Sequence, residues 1–172
     1  MTTVEAKPET ARGRAMYEML LAVHALIRRD LDLIQELAAQ ALDGVDAEEL
    51  GRQLHALKRG SMLWRLQVNC LRYCSFVHLH HNAEDADFFS ELRDTNPAIN
   101  PVIDRLQAEH RQVSDDLDAV ETAANGLADD DGQRARQAVV ETLRALRENL
   151  LAHLEYEELN VEATVRRVRE LP

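Results

Sequence analysis

The sequence is short of chain breakers and of rings: six glycines, four prolines and 4% aromatic residues in 172. Such a composition, beside abundant Ala, Leu, Glu and Arg, leans away from sheets and towards long helices. Only two cysteines occur, Cys70 and Cys74, four residues apart in a helical stretch, where neither geometry nor compartment favours a disulfide. They read as reduced core thiols. No continuous apolar run has the length of a membrane span or a secretory signal, so a cytoplasmic protein is expected, with residues 1–13 as a loose polar tail. Positive charge is scarce as well. Twenty Lys and Arg against 31 Asp and Glu leave a formal net charge of −11, which argues against nucleic acid or an acidic membrane surface as partner and suits a small neutral ligand or a cation.

What is present is helical periodicity. Residues 14–172 form one expected domain, large enough to enclose an apolar core. From Met16 to Ala38 the residues Leu20, Leu21, Ile27, Leu31 and Ile34 recur at three- and four-residue spacing, with His24 inside the stripe. Asp46 with Glu49 three residues on resembles a capping box and predicts a short connecting helix to about Arg59, before a break at Gly60-Ser61. A second long helix is predicted from Ser61 to Leu92, with Leu63, Leu66, Cys70, Val77, His80, Glu84 and Phe88 along one face. Asn100-Pro101 opens a third, since Asn caps and Pro suits the first helical position; it carries Ile103, Leu106, His110, Val113, Leu117 and Val120. After Gly126 and the turn at Asp129 to Gly132, a fourth carries Val139, Leu143, Leu146, Leu150, His153, Glu157 and Val161. Short connections between long helices predict an all-α, antiparallel up-down four-helix bundle.

Each long helix thus places one histidine on its inward face, and two add a glutamate one turn later: His80 with Glu84, and His153 with Glu157. Residues four apart project from the same face, so each pair can aim an imidazole nitrogen and a carboxylate oxygen at one point. Burying two ionised carboxylates in a leucine-rich interior costs several kcal/mol each unless a cation or a hydrogen-bonded partner compensates them. The candidate ligands are His24, His80, Glu84, His110, His153 and Glu157, a mixed imidazole and carboxylate set that suits iron, manganese or zinc. Counted from the predicted turns, their heights agree on the first two connections. On the third they differ by up to about two turns.

The spaced set, with the stretch from Cys74 to Asp85 and the segment Leu106-Gln107-Ala108-Glu109-His110, resembles the hemerythrin-like (HHE cation-binding) family, in particular members of actinobacterial type. The resemblance covers nearly all the chain after the tail. It implies two iron ions, oxo- or hydroxo-bridged, held by the six residues above and binding oxygen, peroxide or nitric oxide. Oxygen-carrying members have a second histidine on the third helix, four residues from the first; here those positions are Leu106 and Ser114. That departure speaks against simple oxygen carriage and for a more open iron, and members with the reduced motif are associated with peroxide breakdown. The alternative is reversible oxygen, nitric oxide or iron binding without turnover, and an oxygenase acting on an organic substrate is a third. No catalytic side chain beyond the ligands is assigned, and the oligomeric state is left open.

Other residues receive plainer readings. His78 and His81 lie off the inward line and are expected to face solvent or to support the ligands, and His55 to be exposed. Glu109 and Glu158 are expected to be surface charges, because neighbours on a helix point about 100° apart. Tyr17, Tyr73 and Trp64 are read as packing residues, and Asp129 to Asp131 as a solvated turn without calcium-loop spacing.

Overall fold

A computed structural model describes residues 8–42, 62–129 and 132–169. Four helical rods make up the fold, with no strand among the described residues. The first is α1, Ala11–Leu42. The second is composite: α2, Met62–Ala83, a π-helical turn Glu84–Phe88, and α3, Phe89–Thr95. After a 3-10 turn at Pro97–Ile99 come α4, Asn100–Gly126, and α5, Gln133–Val165. Each rod packs on the two next to it in chain order and the fourth closes on the first, which is the expected all-α four-helix bundle. None of the described helices is long and apolar enough to cross a membrane.

The boundaries differ from expectation in instructive ways. The predicted connecting helix between Asp46 and Arg59, and His55 on it, lie outside the described residues. Helix α1 begins at Ala11, so the expected tail limit at residue 13 falls inside it. Thr10 caps it: the Gly13 amide donates to Thr10 Oγ1 at 2.8 Å, while the Thr10 hydroxyl donates to the Val168 carbonyl at 2.6 Å. This cap fastens the start of α1 to the end of α5. Gly13 sits so close to α5 that a Cβ there would lie 2.5 Å from the Val165 carbonyl oxygen. Asn100 is not the cap predicted for the third rod. Instead Asn96 accepts from the Ala98 amide at 3.2 Å and shapes the 3-10 turn that feeds Pro101 into α4.

The π turn changes the register of the second rod. The Phe89 amide reaches back to the Glu84 carbonyl, one residue further than in an α-helix. Phe89, not the expected Phe88, is therefore fully buried, while Phe88 is only half buried.

Two apolar clusters fill the bundle. The larger holds Ile27 to Ala41 of α1, Leu66 to Val77 of α2, Val113 to Ala124 of α4 and Val139 to Leu154 of α5. The smaller holds Tyr17 and Leu20, Phe89 and Leu92, Ile99 to Leu106, and Val161 to Val168. On every rod the buried side chains in the short interval between the two are histidine or glutamate. Tyr17 and Tyr73 pack in different clusters, and Cys70 and Cys74 are buried free thiols. Trp64, read as a packing residue, is instead exposed.

Candidate metal centre

The interval between the clusters is where the histidines and glutamates sit. His24 lies between Leu20 and Ile27 on α1, His80 and Glu84 between Val77 and Phe89, His110 between Leu106 and Val113, and Glu157 between Leu154 and Val161, with His153 beside Leu154 at the edge of the larger cluster. All six therefore share one level. The mismatch at the third connection shrinks because α4 ends at Gly126 and α5 starts at Gln133, sixteen residues from His110 and twenty from His153. About one turn remains, which helices inclined to each other accommodate.

The distances divide this layer into two halves. On one side, ligand-type atoms of His24, His80 and Glu84 lie within 4.8 Å of one another; on the other, those of His81, His110 and His153 do so. The two glutamates connect the halves. Glu84 Oε1 is 3.2 Å from His80 Nε2 and Glu84 Oε2 is 3.5 Å from His110 Nε2. Glu157 Oε2 is 3.4 Å from His24 Nε2 and 3.8 Å from His153 Nε2.

His81 corrects the sequence reading: it is buried within the layer, stacked on His110 with ring centroids 4.1 Å apart and edge-on to His153 at 5.1 Å. On a helix turning about 100° per residue, Glu84 stands about 40° from His80 and about 60° from His81, so the adjacent histidines flank it. That HHxxE spacing was the available signal. His78 is half buried and faces Asp118 at 3.7 Å.

Glu109 and Glu158 are also not mere surface charges. The His24 Nδ1 is 2.8 Å from Glu158 Oε1, which Arg28 also holds at 2.7 Å. The His153 Nδ1 is 3.1 Å from Glu109 Oε2, itself a partner of Arg105. His110 Nδ1 lies 3.2 Å from Asp85 Oδ1, near enough for an ion pair although not aligned for a hydrogen bond. Each of these acids adjoins a candidate ligand on its own rod and reaches across to the histidine of the next. A carboxylate at Nδ1 keeps the proton there and turns the Nε2 lone pair towards the centre of the layer.

Burial and charge set the protonation of the layer. Burial, then Glu157 and Asp85, push the Glu84 carboxyl well above its usual value. Burial works the same way on Glu157, but the close approach and charge of His24, with His153 and His80, outweigh it and hold that carboxyl low. For His24, burial opposes the charge and Glu157 and Glu158 overcome it, so its pKa is raised. Burial, then His24, lowers His80 to about 4. Burial, then the neighbouring imidazoles, lowers His81 much further, and burial lowers His153. Protons on Glu84 and His24 thus neutralise what a cation would otherwise neutralise, and His80, His81 and His153 present the neutral form that ligates metals.

Several buried atoms make no aligned hydrogen bond: Nε2 of His81, His110 and His153, and both carboxylate oxygens of Glu84 and of Glu157, whose contacts to the histidines are charge contacts only. Buried polar atoms are ordinarily hydrogen-bonded, and so many orphans converging on one level fit a site built for cations. Fold and layer together define a cation-binding four-helix bundle. The family model of the hemerythrin HHE cation-binding domain matches residues 15–165, and the chain belongs to that family. Comparison with curated proteins and with solved structures returns no match.

Proposed function

We propose that the layer holds two iron ions, oxo- or hydroxo-bridged, with His24, His80, Glu84, His110, His153 and Glu157 as ligands, and that the protein breaks down hydrogen peroxide there. The observation that carries the two-metal reading is the pair of glutamates, each within 4 Å of a histidine in both halves of the layer. Iron so held supplies Lewis acidity and a store of two electrons, enough to oxidise one peroxide to dioxygen and reduce another to water.

The chain's own residues supply confinement and orientation. The apolar clusters above and below keep bulk water from the layer, which strengthens every charge interaction inside it. Glu158 and Glu109 fix the rings of His24 and His153. A surface groove lined by residues such as Leu26, Arg65 and Phe76 includes none of the six ligands, and the layer itself is buried between apolar clusters, which suits a small ligand better than a bulky organic one.

A second reading, reversible binding of oxygen or nitric oxide without turnover, is favoured by His81, which raises the number of imidazoles in the layer to five. An oxygen electrode separates the two. Iron-loaded protein given peroxide should release half a mole of dioxygen per mole consumed. A sample that releases none, yet changes its visible spectrum reversibly with air, overturns the enzymatic reading in favour of the second.

A further inference from the structure

Resting on the two-iron reading, we infer that His81 is a seventh ligand: it replaces, from the second rod, the helix-three histidine that this chain lacks.

Neither position that could have carried that histidine offers a nitrogen. Leu106 is fully buried in the smaller apolar cluster, and Ser114, one turn beyond His110, is a small hydroxyl residue. The ring that occupies the vicinity of His110 is that of His81, stacked on it with planes 9° apart. Phe89 also packs on His110, its ring centroid 5.3 Å away and its plane tilted by 21°, and supplies packing without a nitrogen. His81 is 5% exposed, and its Nε2 is buried with no hydrogen-bond partner. A stacking role needs only a flat ring. An orphaned nitrogen in a dry layer costs free energy that a stacking role does not recover, whereas a bond to a cation does.

The assignment makes the two halves unequal. His81, His110 and His153 would give one iron three imidazoles, while His24 and His80 give the other two, with Glu84 and Glu157 common to both. The iron on the His24 side then keeps the vacant position at which a small ligand binds, and the other is closed. The π turn begins at Glu84, and beyond it Phe89 and Leu92 are the side chains that reach the core.

The test compares His81→Ala and His81→Phe with the unaltered protein and with His78→Ala, a change outside the layer. Helix content of the metal-free proteins by circular dichroism shows that each folds, and iron per chain and the ferric visible spectrum are the readouts. Expected for both His81 variants is a fall from two irons per chain to one, with loss of the bridged-pair absorption and recovery in His81→Ala on adding imidazole. His78→Ala should retain both irons. Should His81→Phe keep two irons and an unchanged spectrum, His81 is a stacking residue and the inference fails while the two-iron reading stands. Should the unaltered protein bind no iron under the same loading, both fail together. If neither His81 variant folds, iron-induced loss of the His81 imidazole proton signal in the unaltered protein, against that of His78, decides: equal persistence of the two overturns the assignment.

Discussion

Glu84→Gln should make the metal-free protein more stable and the iron-loaded protein less so. Glu84 is buried with no hydrogen bond to either oxygen, and burial with the neighbouring Glu157 and Asp85 raises its pKa. Burying this carboxyl charged, or keeping it protonated against the solution pH, costs about 1–3 kcal/mol, and Gln, of the same shape, stays neutral at every pH. For a chain of this length each kcal/mol moves the melting temperature by about 2–4 °C, so the metal-free variant should melt roughly 2–12 °C above wild type near pH 8. The sign follows from linkage. Because the folded pKa lies above the unfolded value of about 4.3, the favourable share of Glu84 is full below that value and is lost as pH rises through the folded pKa. The gap between variant and wild type should therefore close near pH 4 and open with rising pH. With iron present at about a thousand times its dissociation constant, binding contributes about 4 kcal/mol to wild type; less the variant's metal-free gain, about 1–3 kcal/mol remains, so a variant that no longer holds metal should melt roughly 2–12 °C below iron-loaded wild type. Calorimetric melts at both pH values, with and without ferrous iron under nitrogen, measure all of this. An equal gap at both pH values, or an equal rise with iron in the two proteins, would refute the reasoning.

Glu109→Gln removes the carboxylate at His153 Nδ1 and should weaken iron binding about 10–100-fold without loss of fold, as read by competition with a chelator. Gly13→Ala pushes a methyl group against the Val165 and Arg166 backbone and should cost about 1–3 kcal/mol in urea unfolding; an unchanged midpoint would show that the ends of α1 and α5 separate freely. Burial pushes the Cys70 thiol up to about 12, and Cys74 is raised by the same cause, so neither should react with iodoacetamide in the folded protein near pH 8 while both react in denaturant.

Much of the architecture is legible before folding because a helix maps sequence spacing directly onto faces. The three- and four-residue recurrence of apolar side chains marks four rods, and the HxxxE pairs place His80 with Glu84 and His153 with Glu157 wherever those rods pack. The family follows from the same spacing. The four-residue spacing of Cys70 and Cys74 in a helical stretch also forecasts buried, unpaired thiols.

What spacing does not reveal is how wide the inward face becomes once four rods converge. His81 was set aside because it lies off the line through His80, yet convergence buries both sides of Glu84. Glu109 and Glu158 point away from the centre of their own rods, but the neighbouring rod brings a histidine to each, which no single helix contains. The π turn belongs to the same category: the five residues Glu84–Phe88 could all be α-helical by local preference, and the need to bury Phe89 while holding Glu84 in the layer selects the extra residue. The sequence by itself thus determined the helices and the side chains on their inner stripes, since both depend on a few consecutive residues. Tertiary structure alone decided which partners those side chains meet, because contacts between rods depend on positions far apart in the chain.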